Sequence, residues 1–464
     1  MLMQLPPELK TLTLEELEVQ DILPCRLYKI ELLLAGMVDG PSSSLGKGEK
    51  LELLRRHQHA HHTLSADVLS KTRDVPEQRE YVYSTNGLLI EYVEPSLVAI
   101  SSPPSIMRGI PGMSWEFRAD FELENVIVDI AQDLLVAVSR NDGHPFMDFR
   151  SLSTGGWHPL AQTGRVRVAD DGLGIPLDLQ FELAICGPLF GLVALDPIDP
   201  DISITRIFNW QTGFDVSTEK LVKSLMFMDD RFAILVTLPE MGWELIALTI
   251  IDCQEGSQMP NINLCLPQFS SEVYISTMQL EGDPDPTQRL RLPAHANPPF
   301  LTSHADPVLG IQLLAYGAEE GDDAADGREL EVHFIIPVWV IRSQLAKHQD
   351  SNSRTDITIG WNQWGPLDVE YLNTLMCCRR MAQDTESEAA MGSFTFWTLI
   401  GLRLVEDESV ASSTFTQPCG TLLPYLEYTT QLNVCDANFF IAGEDSFVLT
   451  PYRSHPGEKY ELSV

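Results

Sequence analysis

The chain has 464 residues, with 31 Lys plus Arg against 66 Asp plus Glu, a formal net charge of −35, 44% hydrophobic and 21% charged residues. That balance excludes collagen-like, mucin-like and mainly disordered chains, and a chain of this length buries enough surface to hold a core without disulfides or metal. So acidic a surface repels phosphate backbones and anionic headgroups, which argues against nucleic-acid and membrane partners.

The segment before residue 78 reads as helical. Pro6-Pro7-Glu8 suits a helix start, and Leu9, Leu12 and Leu17 predict a short amphipathic helix after it. Ile22, Leu23, Leu27 and Ile30 to Leu34 continue the apolar period until Gly36 and Asp39-Gly40-Pro41 break it. A second helix is expected around Glu49–Leu54, with Leu51 and Leu54 inward and Lys50, Arg55 and Arg56 outward. No apolar run nears the roughly 20 residues of a bilayer helix. Met1–Leu9 lacks the features of a secretory signal.

From Tyr81 onward the period becomes strand-like. Short apolar runs such as Val126–Ile130, Leu134–Val138, Phe190–Leu195, Phe232–Leu238, Leu245–Ile251, Val332–Ile341, Phe394–Leu402 and Phe439–Leu449 alternate with turn residues. Helical spacing returns only near Asp368–Met381. Three units repeat the pattern of strand, polar connection, strand and glycine turn, ending at Gly155, Gly213 and Gly256. That interval fits a propeller blade of roughly 40–50 residues with loop insertions, giving about six to eight blades over residues 79–464. Two unrelated sandwiches are the competing arrangement. Glu281–Pro286, Ala294–Pro299, Gly317–Gly327 and Ala382–Glu388 read as loop insertions.

No motif supports an enzyme. A G-x-S-x-G elbow, a Walker loop and H-E-x-x-H are all missing, and Gly172-Leu-Gly174 lacks the last glycine of a dinucleotide fingerprint. His57 and His61 have the i, i+4 spacing of zinc ligands within His57–His62, yet no nearby Cys or acidic motif completes four ligands, so a solvated helix end or linker is expected. Asp196–Asp201 lacks the alternating pattern of a calcium loop and reads as a turn. The tryptophans of the β region, among them Trp157, Trp210, Trp243, Trp339, Trp361, Trp364 and Trp397, read as packing residues. No cofactor is expected. Eight scattered cysteines, without a C-x-x-C pair and with Cys377 and Cys378 adjacent, fit reduced thiols in the cytoplasm or nucleus.

Leu5-Pro-Pro-Glu-Leu9 followed by Asp21-Ile-Leu-Pro-Cys-Arg26 resembles the opening of an F-box. The stretches Tyr28–Gly40, Leu51–Gln58, Arg108–Trp115 and Arg150–Leu160 are similar to segments of fungal F-box-like proteins. Here Arg26 runs directly into Leu27-Tyr28-Lys29, where the family's pattern continues into a third helix, and Pro24 sits where a helix would run. The resemblance implies a mainly β fold: a truncated F-box-like helical segment at 1–35, a helical linker at 36–78 and a β-propeller-like domain at 79–464. It implies a non-enzymatic substrate receptor that links an unknown client protein to the adaptor and cullin of a cullin-RING ubiquitin ligase. Leu5, Pro6, Leu9, Leu17, Ile22 and Leu23 are the implied adaptor contacts. A scaffold with a vestigial F-box, and a propeller with an enzymatic or sugar-binding site in its central channel, are the alternatives.

Overall fold

The computed structural model of the protein describes residues 19–40, 45–63, 68–72, 81–85, 88–102, 109–141, 144–168, 179–197, 199, 202–216, 221–238, 246–269, 273–283, 297–303, 307–317, 329–348, 355–365, 370–373, 392–399, 425–432, 437–442, 446–451 and 459–463. The fold is mainly β, with a short helical segment at its N-terminal side.

Helix α1 (Val19–Leu34) runs unbroken through Pro24. It ends where Gly36 takes the left-handed conformation (φ 62°), with the Gly36 amide on the Leu33 carbonyl at 3.1 Å. Strand β1 (Met37–Asp39) follows, then helix α2 (Lys47–Thr63), whose start is capped by Glu49 Oε2 accepting from the Gly46 amide at 2.7 Å. Strand β2 is Val68–Thr72.

The next three sheets are meanders of four antiparallel strands each. Sheet 1 holds β3 (Tyr81–Thr85), β4 (Leu88–Glu94), β5 (Leu97–Ser102) and β6 (Met113–Arg118). Sheet 2 holds β7 (Leu123–Asp129), β8 (Leu134–Asn141), β9 (His144–Ser151) and β10 (Arg165–Arg167). Sheet 3 holds β11 (Gln180–Cys186), β12 (Leu189–Leu195), β13 (Ser203–Asn209) and β14 (Asp215–Val216). Sheet 4 starts likewise, with β15 (Leu221–Phe227), β16 (Phe232–Leu238), β17 (Ala247–Asp252) and β18 (Ile262–Cys265).

Sheet 5 opens with β19 (Val273–Asp283). After it, β20 (Phe300–Thr302) leaves the sheet and pairs with β1. The sheet resumes with β21 (Val308–Gly317) and β22 (Glu329–Pro337), which leads straight into helix α3 (Val338–His348). Strand β23 (Ile357–Ile359) adds in parallel to the outer edge of β18 and is followed by the short helix α4 (Trp361–Trp364). Strand β24 (Glu370–Asn373) completes sheet 5. Strands β25 (Gly392–Leu399) and β26 (Tyr425–Leu432) form a pair. Strands β27 (Ala437–Ala442), β28 (Ser446–Pro451) and β29 (Lys459–Ser463) form the last sheet, and β2 pairs antiparallel with β29 as its fourth strand.

The central strands are buried on both faces, which explains their near-continuous apolar sequences. Leu134, Val136 and Val138 of β8 pack with Phe149, Phe190 and Leu192 toward sheet 3, while Leu135 and Ala137 pack with Ile90, Val98 and Ile100 of sheet 1. In β16, Ala233 and Leu235 face sheet 3, and Ile234 and Val236 join the core shared with sheet 5. Each core thus lies between successive sheets, filled by a period-2 alternation. Sheets 3 and 4 come close enough that a Cβ on Gly191 would sit 2.5 Å from Leu225 Cδ2. The first strands β7, β11, β15 and β19 neighbour one another in turn, and β7, β15, β19 and β27 each carry a bulge-like register shift. Bulges at sheet edges sharpen the local twist.

The structure corrects several sequence expectations. Val338–Ile341 is helix: Pro337 cannot donate to a ladder, and Val338, Ile341 and Leu345 then follow helical spacing. Within Asp368–Met381, Glu370–Asn373 is strand, because pairing with β22 satisfies its backbone; residues 368–369 and 374–381 lie outside the described ones. The Phe439–Leu449 run is divided between two antiparallel strands, β27 and β28, and its residues 443–445 lie outside the described ones. The start of the Glu281–Pro286 loop is instead strand, since β19 runs to Asp283; residues 297–299 are loop, as read, and the Pro299 carbonyl accepts from the Gly40 amide at 3.0 Å.

Candidate interaction surfaces

The helical segment is joined to the β body by a small core. Tyr28 and Leu32 on α1, Leu51 and Leu54 on α2, and Phe300 on β20 bury together. His57 completes the α2 face, its ring edge-on to Phe300 at 5.7 Å. The expected solvated histidine run is therefore corrected at His57, which is a core residue, while His59 is exposed. Lys50 is also inside: its Nζ donates to Asp39 Oδ1 at 2.7 Å, where Tyr28 donates at 3.1 Å, and Lys47 pairs with the other carboxylate oxygen. Burial alone would raise the Asp39 carboxyl, but hydrogen bonds from Lys47, Lys50 and Tyr28 outweigh it and hold it below the usual range. Burial, then the Asp39 charge, pushes the Tyr28 phenol up.

With Tyr28 and Leu32 turned inward, α1 presents Ile30 (54% exposed) and Leu33 (75% exposed) outward, one helical turn apart, and exposed Val38 follows on β1. Of the implied adaptor contacts, Leu5, Pro6, Leu9 and Leu17 lie outside the described residues. Ile22 and Leu23 lie in the first two turns of α1, and their side chains lie outside the described ones. The sequence reading places Ile30 and Leu33 in one apolar run with their neighbours; the i, i+4 pair Tyr28/Leu32 is the signal that assigns the opposite face to the exterior.

A second surface lies at the turns that close the repeat. The glycines at its ends, Gly155, Gly213 and Gly256, all have left-handed φ (70°, 72° and 76°). The residue after the third strand is equivalent in each unit. Leu152, Trp210 and Cys253 donate their amides to the Asp133, Pro188 and Arg231 carbonyls at 2.8, 3.0 and 2.7 Å. In sheet 2 this turn is cross-braced, with the Asp133 carboxylate accepting from Ser151 Oγ at 2.6 Å and from the Ser153 amide at 2.8 Å. Partial burial works against those hydrogen bonds, which still leave the Asp133 carboxyl lowered. His158 is buried edge-on to Trp210 at 4.9 Å. Its Nδ1 accepts from the Leu160 amide at 3.2 Å, so Nε2 carries the proton and faces the Gln132 carbonyl at 3.1 Å. With both nitrogens engaged, and Ser151 bound to Asp133, this group is a brace and no nucleophile–base pair.

The same loop exposes Trp157 (51%) and Leu160. Trp157 lies over Arg150 at 3.6 Å, and Arg150 and Arg165 both bind the fully buried Asp148. Trp157 and Trp339 are half exposed, so they depart from the packing role expected of the tryptophans; Trp210, Trp361 and Trp364 are buried. Asp196 and Asp199 lie between β12 and β13, with the Asp199 amide on Asp196 Oδ1 at 3.2 Å; residues 198, 200 and 201 lie outside the described ones.

A polar chain links the first strands. Asn125 Nδ2 donates to the Phe181 carbonyl at 2.6 Å, Ser224 Oγ donates to Glu182 Oε1 at 2.7 Å, and the Leu280 amide donates to Ser224 Oγ at 2.8 Å. Among the described residues no three His, Cys, Asp or Glu side chains are grouped to hold a metal, and no helix is long and apolar enough to cross a membrane. Burial pushes the Cys253 thiol up to about 12, which makes it a poor nucleophile.

No family model matches the chain, and no curated protein matches it. Solved structures give weak likenesses. An uncharacterized protein, lmo1340, from Listeria monocytogenes EGD-e is 9% identical with a TM-score of 0.31, over 66% of this chain and 82% of that one. An S. cerevisiae assembly of Dbp5 with Nup159 and Gle1 gives 10% identity and a TM-score of 0.28, over 86% and 94%. The plexin A4 extracellular region gives 9% and 0.33, over 85% and 40%. At these scores they carry no argument about fold or function.

Proposed function

We propose that the chain is an F-box-like substrate receptor whose β body is a propeller-like ring that holds a client protein and catalyses no reaction. Three features support the ring. Successive sheets share cores on both faces, their first strands are mutual neighbours, and the last sheet takes β2 from the N-terminal side. Stacking of this kind covers faces that one sheet leaves open, and closing the circle protects edges.

The observation that carries the receptor reading is the outward apolar ridge of an anchored helix. Ile30 and Leu33 stand exposed on α1 while its other face is committed to Phe300 and α2. A rigid helix with an apolar outer stripe is the form a helical adaptor would grip, and the segment bearing Leu5, Pro6, Leu9 and Leu17 leads into it. The test is retention of purified ligase adaptor and cullin by the full chain. Ile30→Asp with Leu33→Asp should lower recovery at least about tenfold, as should Leu5→Asp with Leu9→Asp. A wild-type chain that retains neither subunit overturns the receptor reading.

A second reading, a scaffold with a vestigial F-box, is favoured by α1 itself. One continuous helix spans Asp21–Arg26 and runs on to Leu34, and its inner face is spent on the β body. That reading expects client binding without either ligase subunit.

A further inference from the structure

The connection between the third and fourth strands differs among the repeats. It runs over 210–214 in sheet 3 and 253–261 in sheet 4, but over 152–164 in sheet 2. Sheet 3 reverses its chain with the short form, so reversal alone does not account for the length in sheet 2. The inner side of that longer loop packs on sheet 3, with the Gln162 amide on the Trp210 carbonyl at 3.3 Å and His158 edge-on to Trp210. Its outer side carries Trp157 (51% exposed) and Leu160 (61% exposed), with exposed Pro159 between them. The chain leaves β10 at the other end of the sheet, where the Val168 amide donates to the Pro145 carbonyl at 3.0 Å.

Trp157 is held still although half of it is exposed. It forms a backbone bridge to Arg150, its ring lies 3.6 Å from the Arg150 guanidinium, and a Cβ on Gly164 would sit 2.5 Å from Trp157 Cε3. The backbone around it is pinned too. The Ser151 amide donates to the Gly156 carbonyl at 2.8 Å, the Phe149 amide to Gly164 at 2.7 Å and the His158 amide to Phe149 at 3.0 Å. A tryptophan fixed in advance gives up little entropy on binding, and Trp and Arg are the side chains that most often carry a protein interface.

The local charge departs from that of the chain. Residues 149–168 include Arg150, Arg165 and Arg167 and no Asp or Glu, in a protein of net charge −35. Arg150 and Arg165 share one buried carboxylate, that of Asp148. Asp133, at the base of the loop, is taken up by Ser151 and Ser153. Asp120 attracts Arg165 through space. Arg150 reaches Asp148 through Nη2, and its Nε is buried without an acceptor; Arg165 uses Nε and Nη2. Nη1 of each guanidinium is left for an incoming acceptor, and a carboxylate is the acceptor that guanidinium binds best.

We propose that the outer side of the 152–164 loop docks the client protein, through an extended client segment that sets apolar side chains on Trp157 and Leu160 and brings an Asp or Glu to the Arg150/Arg165 pair. The acidity of the whole chain does not oppose this, because charges more than about 10 Å away are largely screened at 0.1 M salt. The inference rests on the β body being the client-holding part and does not depend on adaptor docking.

Selection of a random peptide library on the immobilised full chain tests it. The recovered peptides should be enriched in Asp and Glu beside Pro, Leu or aromatic residues. Titrated by fluorescence anisotropy, they should bind about tenfold or more weakly to Trp157→Ala and to Leu160→Ala. Leu160→Ala changes only an exposed side chain, so a loss there is not misfolding. Replacing the Asp and Glu of a recovered peptide by Asn and Gln should weaken it about tenfold as well. Ile30→Asp with Leu33→Asp should leave peptide binding unchanged, and Leu160→Ala should leave retention of the ligase adaptor unchanged, which separates this surface from the adaptor surface. A selection that returns no binder, only basic or uncharged binders, or binders equally tight on both loop variants overturns the docking surface and leaves the adaptor test to judge the receptor reading.

Discussion

The Tyr28 hydroxyl on α1 lies 3.2 Å from the Pro299 carbonyl, 271 positions further along the chain, and 3.1 Å from the Asp39 carboxylate. That one group ties the helical segment to β1 and to the strand that β1 borrows from the β body. Tyr28→Phe should destabilise this docking by about 1 kcal/mol, the usual net worth of one hydrogen bond. The fold should survive, and amide protection of α1 and α2 should fall before that of the sheets.

The same contact has a pH signature. Asp39 has a folded pKa below its ordinary 3.8, so its contribution is complete above that value and is lost as pH falls through the lowered one. Tyr28 is shifted the other way, so its contribution is complete below the ordinary 10.0 and is lost as pH rises beyond it. Protection of α1 and α2 should be flat between those limits and fall at both ends. Asp39→Asn should abolish the acid limb; an unchanged acid limb would show that other carboxylates govern it.

Gly40 should be intolerant for a related reason. A Cβ there would collide with the Pro298 carbonyl, a backbone atom with no rotamer to yield. Gly40→Ala should release β1 from β20 and make residues 19–63 sensitive to limited proteolysis while the sheets stay resistant. Proteolysis at the wild-type rate would contradict the close approach.

The core between sheets 2 and 3 is aromatic. Phe149 meets Phe190, Phe208 and Trp210 at centroid distances of 5.5, 5.8 and 6.2 Å. Phe149→Ala should cost about 3–5 kcal/mol in denaturant unfolding. Leu160→Ala, on the exposed loop of the same sheet, should stay within about 0.5 kcal/mol. Equal effects would mean that the two sheets do not share this core.

Asp148 is wholly buried, with Arg165 donating to both its oxygens at 2.6 and 2.9 Å and Arg150 donating at 2.9 Å. Asp148→Ala leaves Arg150 facing a buried site without its acceptor, and the loss should be about 3 kcal/mol. Arg165→Ala should cost less, because Arg165 is partly in solvent and Arg150 remains on the carboxylate. The double variant should fall well short of the sum, since both changes remove one shared interaction.

Much of the β region was legible. Phe232–Leu238 is a strand with the bounds read from its apolar run. The glycines of the repeat stand at equivalent left-handed turns, because a chain reversal between the third and fourth strands needs positive φ and glycine adopts it without strain. What was not legible depended on contacts distant in sequence. Lys50 looked solvated until Asp39 folded under it, and His57 until Phe300 arrived from more than two hundred positions away. The run Val332–Ile341 has the same β-branched composition on both sides of Pro337, so only the missing N–H divides strand from helix. Ile30 and Leu33 were counted with one apolar stripe, although the helix splits them from Tyr28 and Leu32.

The proposed ring of sheets would be closed where β2 pairs with β29. Ser70 and Glu461 are register partners across that seam. Ser70→Cys with Glu461→Cys, oxidised in the folded full chain and mapped by peptide mass spectrometry, should give an intramolecular disulfide between those two positions in most molecules. Ser70→Cys with Thr429→Cys, placed on β26 outside that sheet, should give none. Failure of the 70–461 bridge to form in protein that is otherwise folded would contradict the closed ring.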